Sequence, residues 1–407
     1  MIGRRQLPVA SAISPIALGS SFVDLLRGGS RARERIQARA RSLVESKFGS
    51  RRAVLTDSGT SALVLALRLA APYGGVVGFP GYACVDLAAA ARFAGIRVRL
   101  YDLDPVTLSP DLDSVRGMLQ RGVDAIVVAH LFGYAADVLS VRELAASAGA
   151  TVIEDAAQGA GGSLGGTRLG SFGELAVVSF GRGKALCAGG GGALLMSSEI
   201  DEDRWAASLG DLERSVPEPG WSGLAKGAVQ WALGRPSVYA LPSMVPWLHL
   251  GEMVYHAASE PRPMAFASSS LIPSAFALEE SDLETRRLNA AALDAMVIEA
   301  PRVERVAPIA GAVPGYLRYP VRDLSGRRVH CPALGVMRPY PRTLAEQHEL
   351  QPILVENEPA TPGASSLRSS LFTLPTHRYV DESDFAGLAA WLSLRGTPRR
   401  SGAASRR

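Results

Sequence analysis

Lysine is scarce in this 407-residue chain: Lys47, Lys184 and Lys226 stand against forty arginines. Arginine serves wherever a fixed positive charge is wanted, but its guanidinium does not deprotonate in proteins, whereas a lysine amine can become a neutral nucleophile. Lys47 and Lys226 read as residual lysines. Lys184 lies in "SFGRGKALCAGGGG", between an apolar run and a wall of glycines, and is the candidate for amine chemistry. Two further polar clusters close apolar runs upstream. "DSGTSAL" places Ser58, Gly59, Thr60 and Ser61 ahead of an alanine and leucine helix, which suits a phosphate at a helix N-terminus and equally an ordinary N-cap. "TVIEDAA" ends with Glu154 and Asp155, leaving a carboxylate either as a turn former or at the mouth of a sheet. A phosphate cradle, a carboxylate and a lysine, in that order on successive strands, are the parts that pyridoxal 5′-phosphate requires. Lysine forms the Schiff base, the carboxylate keeps the pyridine nitrogen protonated, and the helix end holds the phosphate.

The elements that position these residues repeat regularly. Apolar runs of strand length rich in Val, Ile and Leu begin near residues 52, 75, 98, 124, 151, 175 and 192, with alanine-rich, helix-length pieces between several of them. Continuously apolar strands alternating with helices predict a largely parallel sheet covered on both faces, which binds ligands beyond the carboxyl ends of its strands. The length suits one large and one smaller domain. We expect an N-terminal arm over 1–45, a large domain over 46–260, a small domain over 261–395 and a basic tail over 396–407.

Continuous stretches resemble the DegT/StrS group of sugar aminotransferases. "DSGTSAL", "FPGYACVDLAAAARFAGIRVRLYDLDPVTLSPDLDSV", "VAHLFGYAADV" and "VIEDAAQGAGGSLGGTRLGSFGELAVVSFGRGKALCAGGGGALL" carry the likeness over roughly 45–200, and "LPTHRYVDESD" extends it loosely over 270–395. The resemblance implies a fold type I α/β enzyme with a mostly parallel seven-stranded sheet, a smaller C-terminal α+β domain, and pyridoxal phosphate as cofactor. It makes Lys184 the Schiff-base lysine, Asp155 the partner of the pyridine nitrogen, and Gln158 the neighbour of the ring's hydroxyl side. Gly59, Thr60 and Ser179 become phosphate ligands. It further implies an amino donor, glutamate by analogy, a keto sugar carried on a nucleotide, and a homodimer. Relatives with histidine in place of the lysine perform dehydration, which Lys184 argues against.

The chain also departs from that pattern. Cys84, with Tyr82 two residues earlier, stands where many relatives stack an aromatic on the ring; it is either a subgroup feature or a buried structural cysteine. Where relatives carry an asparagine that reaches the neighbouring subunit's phosphate, "PMAFASSSLIPSAFALEE" has Ala265 or a serine, with Arg182 or Ser269 as replacements. The apolar stretch 221–256, with Trp231, Tyr239, Leu241, Met244, Val245, Trp247 and Leu248, is interrupted by Arg235, Pro236, Pro242, Pro246 and Glu252 and makes a poor membrane span. It reads as a dimer-reinforcing surface or a docking face for a membrane-bound glycan assembly partner. A binder of cofactor or nucleotide sugar without turnover is the competing class.

Charge and cysteine content exclude other classes. The formal charge of +4 owes five arginines to the tail "RGTPRRSGAASRR", so the remainder carries no nucleic-acid surface. Cys84, Cys187 and Cys331 are widely spaced, no histidine pair has metal-ligand spacing, and no charged and apolar leader opens the chain; a reducing, cytoplasmic setting is expected. His130 and His377 read as structural histidines or as liners of the site.

Overall fold

The computed structural model describes residues 5–393 except 51, 199–208, 210, 211, 213, 214 and 241–254. Numbered within the large sheet, its strands are β1 (Arg52–Thr56), β2 (Val76–Pro80), β3 (Arg97–Tyr101), β4 (Ala125–Ala129), β5 (Thr151–Asp155), β6 (Leu175–Ser179) and β7 (Gly192–Met196). They lie in the order β1-β7-β6-β5-β4-β2-β3. Neighbours from β3 through β6 pair in parallel, and β7 alone runs antiparallel to both β6 and β1. This is the mostly parallel seven-stranded sheet that the apolar rhythm predicts. Every residue of β4, β6 and β7 is buried, because helices cover both faces.

The helix Gly59–Ala70 buries Ser61 through Leu67 together with Leu69 and Ala70. Its near-continuous apolar sequence is explained by this enclosure between the sheet and the helix Asp86–Ala94, since a helix apolar all round must be buried all round. The outer edge of β3 is covered by the segment at 354–355, where Val355 N–H donates to Val98 O at 2.9 Å, and Arg99 of β3 pairs with Glu358 beyond it.

The 33-residue helix Phe266–Ile298 begins against the large sheet, where Phe266, Leu271 and Ile272 join the core formed with Leu55, Val178 and Phe180. It ends in a second core, where Leu293 and Val297 meet the antiparallel strands Val303–Arg305, Tyr319–Asp323 and Leu371–Leu374. One helix thus ties the two sheets together. Leu344, Leu350, Ala364 and Leu367 from the C-terminal third also pack into the large sheet's cores.

The N-terminal helices Pro15–Arg27 and Ser30–Phe48 pack against Phe266–Ile298. No helix among the described residues is long and apolar enough to cross a membrane. The tail 396–407 and, within the apolar stretch, Leu241, Met244, Val245, Trp247 and Leu248 lie outside the described residues.

Candidate active site

Three strand ends meet at one cavity. After β1, Ser58 caps the helix Gly59–Ala70: its hydroxyl accepts from Ser61 N–H at 3.0 Å and its carbonyl from Ala62 N–H at 3.1 Å. The N–H groups of Gly59 and Thr60 have no acceptor within the helix and sit at the positive end of its dipole. β6 brings Ser179 to the same place. A Cβ built on Gly59 would lie 2.8 Å from Ser179 Cβ, so glycine is what lets the helix end close on the Ser179 hydroxyl. Ser58 does the capping, while Gly59, Thr60 and Ser179 line the cavity.

Successive residues of a strand point to opposite faces, and β5 assigns its two carboxylates opposite tasks on that basis. Glu154 points inward and is fully buried. Its Oε1 takes Gly170 N–H at 2.5 Å and His130 Nε2 at 2.7 Å; its Oε2 takes Phe172 and Gly173 N–H at 2.7 and 3.0 Å. Burial pushes this carboxyl up, but the His130 contact and the backbone donors outweigh it and hold it below the usual range. His130 Nδ1 accepts from Ala136 N–H at 3.0 Å, so the ring's proton is on Nε2 and is donated to Glu154. His130 is tied into the scaffold through both ring nitrogens, and the residue also lines the cavity.

Glu154 therefore supplies stability that is present above the ordinary carboxylate range and fades as pH falls through its lowered folded-state pKa. Glu154→Gln places an amide N–H₂ against N–H donors. The expected cost is about 1–3 kcal/mol for each donor left without its carboxylate acceptor, with loss of the part of the acid-side fall in stability that Glu154 supplies. Urea unfolding across pH checks both.

Asp155 faces the cavity. Its Oδ1 accepts from Ala157 N–H at 3.0 Å. Burial pushes its carboxyl up, opposed by the Ala157 N–H and the Lys184 charge, with Asp86 adding to the rise. Three residues on, the Gln158 side chain is held at both ends: Oε1 accepts from Phe132 N–H at 3.0 Å and Nε2 donates to Tyr340 Oη at 2.9 Å. Phe132 makes its bond from a left-handed backbone, φ 58°, which is costly for a bulky residue and is maintained by the buried surroundings.

Lys184 lies on the loop that carries the chain from β6 back into β7. The glycine wall is explained by that reversal: Gly191 has φ 101°, and a Cβ on Gly192 would stand 2.5 Å from Ser58 O. Of the three lysines only Lys184 lines the cavity. Lys47 stands over the Phe276 ring at 5.8 Å, and Lys226 is exposed on the helix Trp221–Leu233.

The cavity holds about 270 Å³, and Lys184, Asp155, Gln158, Gly59, Thr60, Ser179 and Cys84 all line it. Cys84, Asp86, Gln158, Arg182 and Lys184 also border an outer chamber of about 390 Å³, lined in part by Leu7, Pro8 and Val9 of the N-terminal segment. That segment is a strap. Gln6 Nε2 donates to Asp384 Oδ2 at 2.5 Å, His377 Nε2 to Leu7 O at 2.9 Å, and Ser11 Oγ to Lys184 O at 2.8 Å. A separate cavity of about 540 Å³ beside the helix Ser30–Phe48 contains none of these groups.

Several sequence expectations change here. His377 does not border the chamber; it is buried and supports the strap. Burial, with the Arg286 and Arg318 charges nearby, pushes it down to about 4. Tyr82 is buried under Tyr340, rings 5.1 Å apart, and presents no face to the cavity. Cys84 is there instead; burial and the Asp86 carboxylate push its thiol far up, and Sγ–H donates to Asp86 Oδ2 at 3.3 Å. Ser269 is buried and donates to Ala265 O, whereas Arg182 is exposed at the cavity rim. Tyr239 is buried within its own protomer beside the outer chamber, and Trp231 lies under Arg235, 4.2 Å from its guanidinium carbon. Tyr340, Asp86 and Arg318 border the site without any motif to mark them.

The architecture is a mostly parallel seven-stranded sheet with a reversed β7, and a helix end, a lysine and a carboxylate gather at its strand ends. Solved structures agree: an aminotransferase, TlmJ, from Streptoalloteichus hindustanus (TM-score 0.72, 22% identity, covering 96% of this chain and 98% of that one) and 3-amino-5-hydroxybenzoic acid synthase (TM-score 0.72, 18% identity, 95% and 98%) share the architecture. Residues 34–208 match the DegT/DnrJ/EryC1/StrS aminotransferase family. L-glutamine:2-deoxy-scyllo-inosose aminotransferase of Streptomyces kanamyceticus is 35% identical over 150 residues, which are 36% of this chain and 35% of that protein. dTDP-4-dehydro-2,3,6-trideoxy-D-glucose 4-aminotransferase of Saccharopolyspora spinosa is 35% identical over 140 residues, 34% and 36%. The chain thus spans little more than a third of the length of these curated relatives.

Proposed function

We propose that the protein is a pyridoxal 5′-phosphate-dependent aminotransferase that moves an amino group from an amino acid, glutamate by resemblance, to a keto sugar carried on a nucleotide. The observation that supports it is the convergence of Lys184, Asp155 and the Gly59–Thr60–Ser179 cradle on one cavity. The residues fit the cofactor: the close approach of Gly59 to Ser179 leaves a cradle that a Cβ would fill, and the cavity-facing Asp155, raised by burial, is stabilised by a cation beside it. Gly59 and Thr60 N–H and Ser179 Oγ would hold the phosphate, Asp155 the ring nitrogen, and Gln158 the side bearing the ring hydroxyl.

When bound, the cofactor supplies a carbonyl that condenses with amines and a ring that stores an electron pair. The chain's own residues do the rest. Asp155 keeps the proton on the ring nitrogen. Lys184, the one lysine at the cavity, takes the proton from the donor's α carbon and returns it during amine transfer. Cys84, its thiol kept protonated beside Asp86, packs where an aromatic face would otherwise stack. The strap over 5–11 limits water access to the outer chamber.

Addition of L-glutamate to the loaded protein should shift its visible absorbance, and a panel of keto nucleotide-sugars should restore it with amine transfer to one of them. A coloured protein that glutamate leaves unmoved would establish the non-catalytic binder instead.

The assembly we propose is a homodimer acting in the cytoplasm, in polysaccharide or cell-surface glycan synthesis. Supporting it is an apolar face shared by two helices: Ile16, Phe22, Val23 and Leu26 of Pro15–Arg27 and Trp221 and Val229 of Trp221–Leu233 are exposed, with Phe22 and Trp221 rings 5.9 Å apart. Membrane-complex contact through 221–256 is the competing use. Light scattering before and after deletion of 224–250 separates them: loss of the dimer places the segment at the subunit interface, and an intact, more soluble dimer places it on an outer face.

A further inference from the structure

Asp86 is a carboxylate with one oxygen unclaimed. It is the first residue of the helix Asp86–Ala94, yet its side chain caps no helix N–H: Leu87 N–H goes to Cys84 O at 3.1 Å and Ala89 N–H to Val85 O at 3.2 Å. Its Oδ2 instead accepts from the Cys84 thiol at 3.3 Å, and a thiol is a weak donor. Oδ1 has no partner among the described residues, and no lysine or arginine among them lies within ion-pair distance of the carboxylate. Asp86 lines both the inner cavity and the outer chamber, and among the described residues it is the only carboxylate that borders the outer chamber. The other charged groups there are the cations Arg182, Lys184 and Arg318, while Gln158 is already bonded at both ends. Burial and then the Asp86 charge push the Cys84 thiol up, with Lys184 opposing, so carboxylate, thiol and amine are neighbours.

We propose that Asp86 is the residue that recognises the keto sugar by its hydroxyls, the open oxygen accepting from the hydroxyl on the carbon next to the keto group. The carbon to be aminated must come up to Lys184. A hydroxyl on the adjacent carbon then arrives where inner cavity and outer chamber meet, which is the place Asp86 occupies. Charge decides which substrate it serves. Glutamate brings two carboxylates, which a third repels; a sugar brings neutral O–H donors, and their bonds to a charged oxygen are stronger than bonds between neutral groups. This inference rests on the aminotransferase reading and adds to it the residue that selects a hydroxylated ketone over a plain one.

The test separates the two halves of the reaction. In the loaded protein, Asp86→Ala should raise KM for the keto sugar about 10- to 100-fold and leave the glutamate-induced absorbance change at its wild-type rate. Asp86→Asn, which keeps an acceptor oxygen without the charge, should recover part of the sugar affinity. The same sugar without the hydroxyl beside its keto group should lose a similar factor against the wild type and nothing further against Asp86→Ala. An unchanged KM for the keto sugar, equal changes for the sugar and its deoxy form, a substrate that carries no hydroxyl beside its keto group, or a slowed glutamate half would overturn the assignment. A wild-type protein that aminates no keto sugar removes the acceptor reading, and calorimetry on the cofactor-free chain then decides Asp86 on its own, with UDP-glucose and dTDP-glucose compared with UDP and dTDP. The hexose should strengthen binding to the wild type and not to Asp86→Ala; no hexose advantage in the wild type, or one that Asp86→Ala retains, refutes the proposal.

Discussion

Lys184→Arg should fold and keep its charge while amine transfer falls by about 10⁴-fold or more, the scale on which enzymes lose a nucleophile. The guanidinium does not deprotonate, so it can neither attack the cofactor's carbonyl nor take the α-carbon proton. The backbone consequences are small, because Ser11 Oγ donates to the Lys184 carbonyl rather than to its side chain and holds the strap in either variant. Borohydride treatment followed by peptide mapping gives the direct measurement: wild-type protein carries the pyridoxyl label at residue 184 and Lys184→Arg carries none. Label on Lys47 or Lys226 would defeat the assignment, and the structure makes that outcome specific, since neither borders the cavity.

Asp155→Asn should retain cofactor while turnover falls by about 10²- to 10⁴-fold, the range of general acid–base contributions. The neutral amide cannot keep a proton on the ring nitrogen, so the ring loses most of its capacity to store charge. A pH signature accompanies the loss. Burial raises Asp155 in the free chain, and a neighbouring cation favours its anionic form. Binding of a protonated ring therefore releases a proton from Asp155 wherever that carboxyl is still protonated, and affinity strengthens as pH rises through its free-state pKa. Asp155→Asn should lack that rise. Calorimetric titration of cofactor at several pH values reads the difference, and near-normal turnover in the variant would remove this strand end from the site.

The two acidic residues at the end of β5 show how far the sequence could be read. "IEDAAQ" places a carboxylate at a strand mouth, and the resemblance selects Asp155 for the ring nitrogen. The strand's two-residue period separates the two acids in space, and the receiving network for Glu154 comes from Gly170, Phe172, Gly173 and His130. None of those partners is adjacent to it in the chain. Likewise "DSGTSAL" left cap and phosphate cradle open. The fold gives the cap to Ser58 and brings Ser179, 120 positions later, against Gly59.

What failed to be legible shares one cause. Tyr340, Arg318, Asp86 and the strap residues Leu7 to Val9 reach the site from distant parts of the chain, and each is an ordinary residue in an ordinary stretch until packing aligns it. His377 shows the converse: a histidine in a motif-like "LPTH" is drawn inward to hold Leu7 O and never meets the chamber.

The sequence by itself determined the strand and helix alternation and singled out Lys184 and the strand ends that meet at the cavity, because these depend on local apolar period and on side-chain chemistry. Only the tertiary structure decided which carboxylate is buried as scaffold, that Cys84 rather than Tyr82 meets the cavity, and that Arg318 borders the outer chamber with Lys184. Those outcomes depend on which distant groups satisfy each buried charge and donor, and that pairing exists only once the chain is closed on itself.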